Sequence, residues 1–118
     1  VEGYRKWLRE MKPKILVSEL KVKSEPHDMT GTLDALAEID GWLYVIDWKS
    51  GKPMKANRWQ LALYALLWSL ENGKPAPKRA ALYLQDGDYR WAEFKNRTDV
   101  ERAKALITAA QIKMEVLA

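Results

Sequence analysis

Asp40-Gly41 is the dipeptide that most constrains what this chain can fold into. A two-residue hairpin with positive φ at both central positions selects Asn-Gly or Asp-Gly, and here the pair is bracketed by the apolar runs "GTLDALAEI" and "WLYVIDWKS". Alternation then places Leu43, Val45, Asp47 and Lys49 on one face of the second strand. A carboxylate and an ammonium in an otherwise apolar strand need a reason to be there, since burying either unpartnered costs roughly several kcal/mol. Asp34, in the first strand, becomes their neighbour if the hairpin closes about Asp40-Gly41, with its register left open.

Around this hairpin the elements follow from period and punctuation. "VEGYRKWLREMK" reads as a helix with Tyr4, Trp7, Leu8 and Met11 on one stripe, ended by Pro13. "ILVSELKVKS" reads as a strand with Ile15, Val17, Glu19 and Lys21 on one face and Leu16, Ser18, Leu20 and Val22 on the other; "EPHD" is a turn. After the polar "SGKPMKAN", "RWQLALYALLWSLENGK" predicts an amphipathic helix with Trp59, Leu63, Leu66, Leu67 and Leu70 along its buried stripe and Asn72-Gly73 as its stop. "RAALYLQ" and "YRWAEFK" predict strands on either side of Asp86-Gly87-Asp88, and a last helix runs from Thr98, as N-cap, to about Val116. The expected fold class is therefore α/β, a central mixed sheet flanked by helices in the order α-β-β-β-α-β-β-α. Trp7, Trp59 and Trp68 are expected in the core, and Trp48 on the sheet face opposite Asp47 and Lys49.

At 118 residues the expectation is one domain, 1–118, and the valine at position 1 leaves room for an upstream segment. The absence of cysteine excludes disulfides, thiolate chemistry and a cysteine-held iron-sulfur cluster, and one histidine excludes a histidine-rich metal site. The longest apolar stretch, Leu61 to Leu70, is interrupted by Ser69 and falls short of the roughly 20 residues a membrane helix needs. With no secretory signal in view, the expected location is the cytoplasm, or the cell interior for a viral or phage protein. A net charge of +4 is a mild bias toward polyanions.

Two carboxylates converging at a strand edge, with the backbone carbonyl of Trp48 between Asp47 and Lys49, make an oxygen set suited to a hard divalent cation. Magnesium is commonly held by one or two carboxylates, waters and substrate phosphate. Lys49 would then stand where it can orient or deprotonate an attacking water. Lys52, Lys55 and Arg58 crowd the segment just after it, where phosphates would arrive.

"GTLDAL", "YVIDWKSGK" and "QLALY", in this order and spacing, resemble the nuclease domain of the RecB-type exonuclease branch of the PD-(D/E)XK superfamily, from about Glu19 to Tyr64. The resemblance implies a restriction-endonuclease-like core and a Mg2+- or Mn2+-dependent deoxyribonuclease acting on DNA in recombination, repair or phage DNA processing. It implies that Asp34 and Asp47 hold the metal, with the Trp48 carbonyl as a further ligand, and that Lys49 is the catalytic lysine. Gln60 and Tyr64 fall on the family's Q-x-x-x-Y helix motif, placed on one face to contact DNA or support the site. Glu19 resembles the acidic residue on the strand before G-x-x-D, a candidate for a water-bridged contact or a second ion. Many members carry a histidine on the first helix; here there is none, and Glu10 is the best acidic candidate in its place. The alternatives are a non-catalytic DNA-binding module or subunit on the same fold, and a Holliday-junction resolvase-like endonuclease. A domain this small has no clamp of its own, so self-assembly or a helicase or recombination partner would supply processivity.

Overall fold

The computed structural model describes residues 2–24, 29–50 and 56–117, with side chains over 2–21, 34–49 and 58–109. The elements are α1 (Glu2–Met11), β1 (Lys14–Ser24), β2 (Met29–Ile39), β3 (Trp42–Ser50), α2 (Ala56–Asn72), β4 (Lys78–Gln85), β5 (Asp88–Glu93) and α3 (Thr98–Leu117), in the expected order. The strands form one sheet in the spatial order β1-β2-β3-β4-β5. β3 and β4 pair in parallel and every other neighbouring pair is antiparallel. Parallel pairing requires the chain to cross back before β4 begins, and α2 is that crossover.

Asp40 and Gly41 take φ of 52° and 81°, and Ile39 pairs with Trp42 directly across them, so the two-residue hairpin forms as its sequence requires. From this turn the pleat sorts side chains onto two cores. Leu36 and Val45 face α2 and α3, packing with Leu61, Leu66, Leu67, Ala103 and Ile107. Ala35, Ala37, Tyr44 and Ile46 face α1, packing with Trp7, Ala80 and Leu82. Period two along β2 and β3 thus feeds both sides of a sheet covered on both faces.

α1 lies close against the β4–β5 turn because its second residue is glycine. A Cβ on Gly3 would run into the Asp88 carbonyl oxygen, so the approach needs a residue without one. Trp7, one turn on, is then fully buried and stacked 5.9 Å from Trp91.

Three expectations are corrected by the packing. In α2, Trp7's counterpart Trp68 is buried as expected, but Trp59 and Leu70 are 42% and 44% exposed; the buried face is instead set by Leu61, Ala62, Ala65, Leu66 and Leu67. Leu66 and Leu67 belong to both the expected stripe and the observed one, which is turned toward Leu61, Ala62 and Ala65. In β1, Ile15 packs on the α1 side and Leu20 on the α2 side, but the strict alternation between them fails: the register shifts between Ile15 and Val17, and Glu19 adopts a left-handed φ of 53°. At α3 the cap is Asn96 rather than Thr98, since the Asn96 side-chain oxygen accepts both the backbone N–H and the hydroxyl of Thr98, at 3.1 and 2.7 Å. The expected "EPHD" turn lies outside the described residues.

Candidate metal centre

The site is built at the end of β3 farthest from the Asp40-Gly41 turn. The β2–β3 ladder is paired from Ile39↔Trp42 out to Ala35↔Ile46, and one step further brings Asp34 level with Asp47. There the Asp34 carboxylate takes over from the ladder: its Oδ2 accepts the backbone N–H of Trp48 at 2.8 Å. A carboxylate held by a main-chain donor is fixed in orientation.

Asp47 and Lys49 share a face, as alternation predicts, with Lys49 Nζ 3.2 Å from Asp47 Oδ2. That Oδ2 is buried and receives no directed hydrogen bond in spite of its ion-pair neighbour. Burial pushes the Asp47 carboxyl up to about 6, the adjacent Asp34 adds to the rise, and Lys49 opposes it. Two carboxylates side by side, one with an unsatisfied buried oxygen, are a donor set that a hard cation would complete. The residues present therefore fit a divalent metal. Among the described residues no three acidic or histidine side chains gather in a metal-binding group.

The other sequence candidates separate clearly. Ser18↔Ala35 and Leu20↔Leu33 bracket Glu19, putting it level with Asp34 on the next strand, but its side chain is exposed and it does not form a three-acid group with Asp34 and Asp47. Glu10 is not brought to the site: it accepts a 2.6 Å hydrogen bond from the Tyr89 hydroxyl, on the α1 side of the sheet. Trp48 points to that same side, its ring edge-on to Tyr4 at 5.4 Å. Gln60 and Tyr64 do meet on one face of α2, the Gln60 amide donating to the Tyr64 hydroxyl at 2.9 Å while the Tyr64 ring packs against the core. Lys52 and Lys55 lie outside the described residues.

Arg58 has a role that its place in a basic segment did not reveal. Its Nε and Nη2 donate to the two oxygens of Asp99 at 2.6 and 2.7 Å, and Arg79 Nη1 lies 3.5 Å from the same carboxylate. Asp99 is fully buried, and the Arg58 hydrogen bonds hold its carboxyl below the usual carboxylate range. The knot joins α2, β4 and α3. An acidic residue in a helix's first turn was the available signal, but its partner is 41 residues away in the chain. A hollow of about 600 Å³ lies elsewhere, between the start of β4 and the start of α3, and neither Asp34 nor Asp47 lines it.

A family model described as the PD-(D/E)XK nuclease superfamily matches residues 1–116. No curated protein matches the chain. Among solved structures it is similar to one titled "Crystal structure of SSO0001", at 17% identity and a TM-score of 0.47. The similarity covers 94% of this chain and 55% of that one, so this chain spans little more than half its length.

Proposed function

The chain belongs to the PD-(D/E)XK nuclease superfamily, and from that premise we propose that it is a divalent-metal-dependent nuclease hydrolysing DNA phosphodiester bonds in the manner of RecB-like exonucleases. The observation that carries this reading is the meeting of Asp34 and Asp47 at one strand end, with a buried Asp47 oxygen left without a hydrogen bond and Lys49 beside it. Mg2+ or Mn2+ held by these carboxylates and the Trp48 carbonyl would supply positive charge to the scissile phosphate and lower the pKa of water.

The protein's own groups divide the remaining work. The Trp48 N–H fixes Asp34, so the pair keeps its spacing when DNA arrives. Lys49 has donors beyond those facing Asp47, which orient the attacking water and offset charge developing on phosphoryl oxygens. Gln60 and Tyr64, joined by their hydrogen bond, support the helix face next to the site or contact the DNA backbone.

The test is magnesium-dependent digestion of linear, end-blocked and covalently closed circular DNA by the parent chain, Asp47→Ala and Lys49→Ala. Cleavage lost in both variants, with folding retained, supports the reading, and dependence on a free end supports the exonuclease form. Full activity in Asp47→Ala overturns the assignment.

A further inference from the structure

Trp59, exposed at the start of α2, is the end of a chain of fixed contacts. Buried Asp99 grips Arg58 through two hydrogen bonds. The Arg58 Cζ lies 5.0 Å from the centroid of the Trp59 ring, and the Arg102 Cζ, from the second turn of α3, lies 5.9 Å from the same centroid. Arg58 and Arg79 share the single carboxylate of Asp99. Arg102 is exposed beside this ring.

A guanidinium beside an aromatic ring keeps its N–H donors free in its own plane, and holding it there beforehand lowers the entropy lost when it binds. That is the arrangement a phosphate oxygen pair requires. Its location is also informative: α2 and α3 pack on the sheet face that carries Leu36 and Val45, the face to which Asp34, Asp47 and Lys49 belong. α2 is the element that follows the strand bearing Asp47 and Lys49.

We propose that Arg102, held against Trp59, binds a backbone phosphate of the DNA strand that leads to the carboxylate pair. The inference rests on the nuclease reading for the identity of its ligand. It adds a contact on α3, outside the stretch from Glu19 to Tyr64 that carries the motifs.

The experiment is equilibrium binding of a short fluorescein-labelled single strand, followed by anisotropy over a range of salt concentrations with calcium replacing magnesium. It uses the parent chain, Arg102→Ala, Arg102→Lys, Trp59→Ala and Trp59→Phe, with urea midpoints confirming that each is folded. Arg102→Ala and Trp59→Ala should each weaken binding by about 3- to 10-fold, and Arg102→Ala should reduce the salt slope by about one. Trp59→Phe should restore most of the loss, and Arg102→Lys should keep the slope while losing affinity. Unchanged affinity and slope in Arg102→Ala, or a parent chain that does not bind the strand, overturns the proposal. Cleavage by Asp47→Ala reports on the nuclease reading separately, so a loss of activity there with no effect of Arg102→Ala removes only the phosphate contact.

Discussion

The Asp34 carboxylate accepts the backbone N–H of Trp48 at 2.8 Å, so an acidic side chain ends the β2–β3 ladder at the point where Asp47 comes level with it. The two carboxylates of the pair are thereby unequal. Asp34 is satisfied by the main chain, and Asp47 is half-buried beside Lys49 with an oxygen that no directed hydrogen bond reaches.

This inequality separates two substitutions. Asp34→Ala removes the acceptor of the Trp48 N–H and should cost about 1–2 kcal/mol of stability as well as activity. Asp47→Asn removes a buried charge, and in metal-free solution near neutral pH it should be at least as stable as the parent while cleavage falls by about 100-fold or more. Urea denaturation and DNA digestion, run on both variants, check the contrast.

The Asp47 carboxyl, raised to about 6 from an ordinary value of 3.8, binds its proton more tightly folded than unfolded. Its contribution to stability is therefore full below about pH 4 and is lost as the pH rises through about 6, on the order of 3 kcal/mol. Metal-free melting temperatures should show this falling component between those limits, and Asp47→Asn should lack it. Magnesium needs the ionised form, so it should raise the melting temperature more at pH 7.5 than at pH 5 if the metal reading holds.

Asp99 carries the ion pairs that join α2, β4 and α3. Asp99→Ala leaves Arg79, 5% exposed, without its counter-charge and should cost about 3–5 kcal/mol, read as a lower urea midpoint. Retained stability would show that the knot is not a structural joint.

Gly3→Ala puts a methyl group against the Asp88 carbonyl and should cost about 1–3 kcal/mol by lifting α1. Because Trp7 stacks on Trp91 beneath that helix, tryptophan emission should shift to longer wavelength as the helix loosens.

What could be read from residues alone was whatever rests on a short-range rule. Asp40-Gly41 determined a hairpin because few dipeptides tolerate two positive φ angles, and period two then put Asp47 beside Lys49. Helical period put Gln60 over Tyr64. The motifs built on these spacings pointed to the superfamily that the family model matches.

Only the tertiary structure decided the rest, because each remaining question turned on which surface met which. Glu10 and Glu19 were both plausible acids for the site. The packing of α1 on the opposite sheet face takes Glu10 to Tyr89, and a left-handed turn of backbone that alternation cannot foresee leaves Glu19 exposed. Trp59 looked like core until Leu61, Ala62 and Ala65 took the buried face of α2, and Arg58, grouped by sequence with Lys52 and Lys55 where phosphates would arrive, is bonded to Asp99 once folding brings α3 to it. Local sequence determines dihedral angles and spacing, which act over a few residues; burial and ion pairing depend on contacts between distant segments, and those exist only once the sheet has its helices on both faces.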